Sequence, residues 1–316
     1  MISVIIPSRV DQYLQQTVDD VLSKARGEVE VVVVLDGYWP DPILKASPRV
    51  KIIHQGTIHN SLGMRAGINA GIAVAEGNYI MKLDEHCMMD EGWDEKLKAD
   101  CEDDWLVVPR RYRLDAENWK LTTETQGDKR PPIDYMYISY PYRVPYDATS
   151  GLYGAEDKQR ALERKDIPVD DLMTSQGSCW FLKRKYFNQL FPNGMDEENY
   201  GPFNHEAQEL GCTVWLSGGR HVVNKNTFYA HFHKGKRGKG YGFSREQYRK
   251  FMADKEKARR YAIDFWLNTK DFKYDWRWLM DKFAPVPTWP DNWEQQLITD
   301  RDKDWSTTGQ PTWGNK

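Results

Sequence analysis

The chain has 316 residues, a net charge of −3, 40% hydrophobic and 29% charged residues, the profile of an ordinary globular protein with one large domain or two small ones. No run approaches the roughly 20 apolar residues that span a bilayer, so no membrane insertion is expected, and the charge gives no global drive toward nucleic acid or anionic lipid. Met1-Ile2-Ser3-Val4 enters a strand with no basic leader, so no signal peptide is expected; Cys87, Cys101, Cys179 and Cys212 lack CxxC spacing and read as reduced thiols in a cytoplasmic compartment.

Ser3 to Pro7 is a short β-branched run, a buried strand by length and type. Ser8-Arg9 follows at its carboxyl end, and Asp11 opens a helical pattern with Leu14, Val18, Val21 and Leu22 on one face. Val29 to Leu35 is a second buried strand ending in Asp36-Gly37, and Val50 to His54 a third. A helix from Ser61 spaces Leu62, Ile68, Ile72 and Ala75 for burial, while Gly63, Gly67 and Gly71 allow close backbone approach. Tyr79 to Leu83 follows as a strand. This alternation predicts a parallel, doubly wound α/β half. Right-handed crossovers then place the strands' carboxyl tips, with Asp36 and Asp84, along one crevice.

The apolar run Tyr79-Ile80-Met81-Lys82-Leu83 ends abruptly in Asp84-Glu85-His86. Asp84 and His86 are two apart, so in extended chain they project to one side. An Asp oxygen and a His nitrogen there are suited to a divalent ion carrying a diphosphate. The bland alternative is a polar strand end with Asp84 as a helix cap.

Gly92 to Ala99 reads as helix and Trp105 to Pro109 as strand; from 110 to 171 the periodicity fades into a polar, Pro- and Tyr-rich stretch, a candidate acceptor region. Gly177 to Leu182 is a strand, and Phe203 to Leu210 a short helix carrying Glu206 and Glu209, with Gly211 at its C-cap. Thr213 to Leu216 and Val222 to Val223 read as short strands, and Thr227 to His233 as a half-buried one. The loop from Lys234 to Phe243 is Gly- and Lys-rich, suited to phosphate and to closing over it. Ser244 caps a long basic helix; eleven Lys/Arg face three acids between Lys234 and Arg260. Thirteen Trp and 17 Tyr are many for this length; some suit the core, and sugar and base faces also stack on aromatics. The expected organisation is a catalytic domain over 1–235 with 110–171 as an irregular insertion, a mobile basic loop plus long helix over 236–283, and a Pro/Trp-rich tail over 284–316.

Val4-Ile5-Ile6-Pro7, Val33-Val34-Leu35-Asp36-Gly37, Gly63 to Gly71 and Leu83-Asp84-Glu85-His86 resemble, in this order, the landmarks of family 2 glycosyltransferases with the GT-A fold. The Asp-x-His motif is similar to that of the polypeptide N-acetylgalactosaminyltransferases, as is Tyr229 to Lys234, whose His completes their metal site. Their Trp-Gly-Gly-Glu-Asn block is replaced by Tyr200-Gly201-Pro202-Phe203-Asn204-His205-Glu206, so their polypeptide acceptor is not carried over.

The resemblance implies an α/β GT-A fold and transfer from a nucleotide sugar, with a UDP-sugar as the donor class. Asp84, His86 and His231 are the expected metal ligands, with His233 as second choice to His231; such a set suits Mn2+ or Mg2+. Pro7, Arg9 and Asp36 are the expected nucleoside cradle. Arg65, one turn into a helix facing the crevice, is expected to reach base or phosphate with Asp84 and Lys234. Glu206, with Glu209 as alternative, is the expected base for the acceptor hydroxyl. The acceptor is expected to be a saccharide or protein; modified, hydroxymethylated DNA and a non-catalytic nucleotide-sugar-binding module are the alternatives.

Overall fold

In the computed structural model the described residues are 1–10, 12–143, 150–233 and 245–303, without the side chain of Gln247. The first half winds as its alternation predicts. β1 (Ile2–Ser8), α1 (Leu14–Lys24), β2 (Val29–Asp36), β3 (Val50–Gln55), α2 (Gly63–Val74) and β4 (Tyr79–Leu83) follow in order. β1 pairs in parallel with β2 on one side and β4 on the other, and β3 pairs in parallel with β2. The glycines of α2 serve as expected: a Cβ on Gly71 would stand 2.4 Å from Ile5 Cγ2, so this helix lies directly on β1.

The chain then makes β5 (Cys87–Met89), α3 (Trp93–Ala99) and β6 (Trp105–Asp115). The stretch 110–171 contains short elements: the end of β6, β7 (Lys120–Leu121), α4 (Thr122–Thr125), β8 (Met136–Ile138), β9 (Gly154–Glu156), α5 (Lys158–Glu163) and β10 (Val169–Asp171). Its tyrosines give it internal order, since Tyr135, Tyr137 and Tyr140 are buried. β11 (Cys179–Lys183), α6 (Arg184–Leu190) and α7 (Glu197–Tyr200) lead into α8 (Glu206–Leu216).

Here the sequence reading is corrected. Thr213 to Leu216 is no strand but the second half of α8, and Gly211 is inside that helix, not at its cap. Every residue of α8 is buried. A helix covered all round shows no amphipathic period, so a short apolar run in it reads equally as strand. Gly211 is small because a Cβ there would come within 2.9 Å of His221 Nδ1.

β12 (Arg220–His231) joins the two strands expected around Asn224, with a register irregularity between Asn224 and Phe228. α9 (Arg245–Asn268), α10 (Trp276–Phe283) and α11 (Trp293–Arg301) complete the described chain. The sheet order is β10-β12-β6-β11-β4-β1-β2-β3, with β5 on β12 and β7 on β6. β11 runs antiparallel between β4 and β6, while β12 runs parallel to β6. Apolar cores fill both faces, one under α1 and α3, the other under α2, α6 and α8. A third, aromatic core joins α8, α9 and α10 through Trp215, Trp266, Trp276 and Trp289. Much of the tryptophan excess is therefore packing. The tail is also tied down in part, since Trp289 Nε1 and Thr288 Oγ1 each donate to the Ile138 carbonyl at 2.7 Å.

No described helix is long and apolar enough to cross a membrane. The four cysteines are buried free thiols.

Candidate active site

Parallel winding brings the tips of β1, β2 and β4 to one edge of the sheet, where a cleft of about 800 Å³ opens. Pairing of β12 with β5 sets His231 opposite Cys87, and so beside His86, the residue before it. Asp84, His86 and His231 thereby meet at the cleft floor, 147 residues apart at the extremes.

His86 Nε2 and His231 Nε2 are 3.1 Å apart, and His231 Nε2 is 3.1 Å from Asp84 Oδ2. The three ligand atoms lie within 4.8 Å of one another. Adjacent ligands on a first-row cation with bonds of about 2.1 Å stand roughly 3 Å apart, so the donor set fits a divalent ion. Burial pushes the His231 imidazole down to about 3, with Asp84 opposing, which leaves it in the neutral form that ligation requires. Asp84 is held well below the ordinary carboxylate value: burial raises it, but Lys82 and then His231 and His86 outweigh that. His233 also borders the cleft, its ring 4.8 Å from that of His231.

The residue that sequence reasoning missed is Lys82. Its side chain is 1% exposed, and Nζ donates to Asp84 Oδ1 at 2.5 Å and to the Gly177 carbonyl. It also stands 3.6 Å from Glu206 Oε2. The signal was present: Lys82, Asp84 and His86 alternate along one chain segment, and a lysine inside an apolar run needs a buried acid.

Glu206, at the first turn of α8, borders the cleft and is 3% exposed. Oε1 accepts from Trp180 Nε1 at 2.5 Å. Burial raises its carboxyl above the usual value, although Lys82 and Trp180 act against it. Gly177 leaves room for this carboxylate, because a Cβ there would stand 2.3 Å from Oε2.

Glu209 and Arg65 go elsewhere. Both are buried and pair with each other. Arg65 also donates to the Asn204 carbonyl, from Nε at 3.0 Å and Nη2 at 2.6 Å, and lies over the Tyr200 ring at 4.5 Å. The sequence reading expects Arg65 at the nucleotide and Glu209 as the alternative base, whereas neither residue borders the cleft and the pair ties α2 to α8. Charge partners distant in sequence leave no local pattern to reveal this.

Pro7, Arg9 and Asp36 border the cleft where β1 and β2 end. Asp36 turns mainly toward α2: Oδ1 accepts from Leu62 N at 2.9 Å, and Oδ2 from Gly63 N at 2.8 Å and from Ser61 Oγ. It thus fixes the entry of that helix while forming the cleft wall. Arg9 Nη1 lies 3.9 Å from Asp36 Oδ2. Asp11, Lys234, the 234–243 loop and Ser244 lie outside the described residues.

The profile of glycosyl transferase family 2 matches residues 3–191. This chain belongs to glycosyl transferase family 2. A curated relative, the glycosyltransferase GlyG of Streptococcus pneumoniae serotype 4 (strain ATCC BAA-334 / TIGR4), is 28% identical over 127 residues, covering 37% of this chain and 41% of GlyG. Among solved structures, GalNAc-T7 with UDP, GalNAc and Mn2+ superposes with a TM-score of 0.61 at 15% identity, over 92% of this chain and 58% of the other. TarS of S. aureus in complex with UDP-GlcNAc gives 0.47 at 13% identity, over 77% and 61%. The chain thus spans less than two thirds of each. The fold is the GT-A arrangement: a curled, mainly parallel sheet flanked by helices.

Proposed function

We propose that this family 2 member is a metal-dependent glycosyltransferase that moves a sugar from a UDP-sugar to an acceptor hydroxyl on a saccharide or protein. The observation that carries this is the meeting of Asp84, His86 and His231 on the cleft floor beside buried Glu206. The UDP and Mn2+ bound by GalNAc-T7 support the donor and cofactor classes on the shared fold.

Asp84 Oδ2, His86 Nε2 and His231 Nε2 are the atoms that would hold Mn2+ or Mg2+. Bound there, the ion supplies charge neutralisation for the departing diphosphate. The protein's own groups do the rest. Pro7, Arg9 and Asp36 form the wall on which the nucleoside rests, and the cation of Arg9 suits its polar edge. Glu206 Oε2 takes the proton of the acceptor hydroxyl; its raised carboxyl makes it a better base than a solvated glutamate. Trp180 holds the other oxygen, and Oε2 stands 3.6 Å from Lys82 Nζ. No observation among the described residues favours a modified-DNA acceptor: on α9, Arg259 and Arg260 pair with Glu256, and Lys257 donates to the Glu198 carbonyl.

The test is a nucleotide-sugar panel with Mn2+ or chelator, read by nucleoside-diphosphate release. One UDP-sugar is expected to give metal-dependent release. Asp84→Ala is expected to lose at least about a hundredfold, the scale of one charged transition-state contact. Glu206→Gln is expected to lose roughly 10²–10⁴ in transfer, the usual yield of general base catalysis, without weakening UDP-sugar binding. Full metal-responsive transfer by Asp84→Ala would overturn the reading.

A further inference from the structure

Lys82 is the one cation in contact with the Asp84 carboxylate among the described residues. Its position on β4, a strand buried on both faces, removes it from solvent. Nζ donates to Asp84 Oδ1 and to the Gly177 carbonyl, and stands 3.6 Å from Glu206 Oε2 as an ion pair. The ammonium is therefore held in place between two carboxylates.

The local charge count follows. Asp84 and Glu206 contribute two negative charges and Lys82 one positive, a sum of −1; the imidazoles that ligate are neutral. Arg65 and Glu209 cancel each other next door. A divalent cation added to this group turns −1 into +1, in a place where water screens poorly. A diphosphate, with two or more negative charges, relieves that excess. Without Lys82 the same cation would bring the group to zero and need no diphosphate.

We propose that Lys82 makes cation binding at Asp84, His86 and His231 depend on the nucleotide: its fixed charge weakens the cation alone, and the diphosphate restores it. Cation and nucleoside diphosphate then bind as a coupled pair, each strengthening the other by the same factor. Lys82 occupies Asp84 Oδ1 and leaves Oδ2 on the side of the two imidazoles. Lys82 is thus a positioning and charge-setting residue. This rests on the metal site of the proposed function and adds its regulation.

The experiment titrates Mn2+ into the whole chain by calorimetry, with and without saturating UDP, for the wild type, Lys82→Met, Lys82→Arg and Glu206→Gln. UDP is expected to tighten Mn2+ at least about tenfold in the wild type, the scale set by like charges a few ångströms apart in a poorly screened site. Lys82→Met is expected to bind Mn2+ alone roughly tenfold more tightly and to show coupling under about threefold. Lys82→Arg is expected to keep the wild-type coupling. Glu206→Gln, which removes a negative charge, is expected to weaken Mn2+ alone and enlarge the coupling. A structural role alone would lower both affinities together and leave their ratio unchanged.

Equal Mn2+ affinity with and without UDP in the wild type overturns the assignment without any variant. So does unchanged coupling in Lys82→Met or, should that chain fail to fold, in Glu206→Gln. Failure of the parent reading looks different: neither Mn2+ nor UDP binds the wild-type chain, alone or together.

Discussion

At the scale of the residue, the identity of a partner decides the role of a charge. Arg65 and Lys82 are both basic residues in buried elements, and nothing in their immediate neighbours separates them. Lys82 reaches Asp84 and Glu206 at the cleft floor, whereas Arg65 is engaged by Glu209 and two backbone carbonyls away from it. Removing one partner of a buried ion pair leaves the other charge uncompensated, at about 3–5 kcal/mol. Glu209→Leu and Arg65→Met should each lower the melting temperature steeply. The double variant should recover part of the loss, because the stranded charge is gone. A double variant no more stable than the worse single would show that the pair is not the unit. Asp84 and His86 were legible from their own strand end, since a two-residue spacing fixes their common side. Glu206 over Glu209 was a choice made on position, and it required the helix phase to be settled: Glu206 faces the cleft and Glu209 the α2 lock.

At the scale of the element, α8 shows how burial erases the sequence signal. An amphipathic helix announces its period, but α8 is covered on all sides by the sheet and by α10 and its neighbours. Its second half, Thr213-Val214-Trp215-Leu216, carries β-branched and aromatic residues that suit a strand as well. Gly211, a stop signal in a solvated helix, is here a contact of α8 with His221 on β12. Gly211→Ala should therefore destabilise by about 1–3 kcal/mol, as an overpacked core site does, although alanine is the better helix former. Denaturant unfolding measures it; a stabilised Gly211→Ala chain would show that the His221 ring yields freely. Because Glu206 stands at the start of the same helix, transfer should fall further than stability alone explains.

At the scale of the whole molecule, the sheet is the device that gathers the site. Its parallel half presents three strand tips, and β12 returns to the same edge through β5. The third aromatic core fastens α9, α10 and part of the tail to α8. Buried histidines, His205 and His221 among them, make the assembly sensitive to acid. His205 and His221 are 3% and 0% exposed, and burial takes each down to about 3 from an ordinary 6.5. The unfolded chain then binds more protons below pH 6.5, so stability is full above that value and is lost as pH falls toward 3. Each histidine should contribute about 1.4 kcal/mol per pH unit within the window. Melting curves from pH 7.5 to 5 should decline accordingly, and His221→Gln should flatten the slope by about one proton. A profile flat down to pH 5 would contradict the burial of both rings.

The sequence by itself determined the winding of the first half, because strand and helix periods, short β-branched runs and spaced glycines are local properties. It also determined Asp84 and His86 as a pair, and the family, through motifs in a fixed order. The family resemblance named His231 as their third member, and the tertiary structure brings it to them by pairing β12 with β5 across 147 positions. The tertiary structure alone decided that Lys82 balances Asp84 and Glu206, that Arg65 is a lock, and that most of 110–171 is ordered. Periodicity records which face a residue turns to the core, but a buried charge is defined by its partner, and partners are set by how the strands and helices pack.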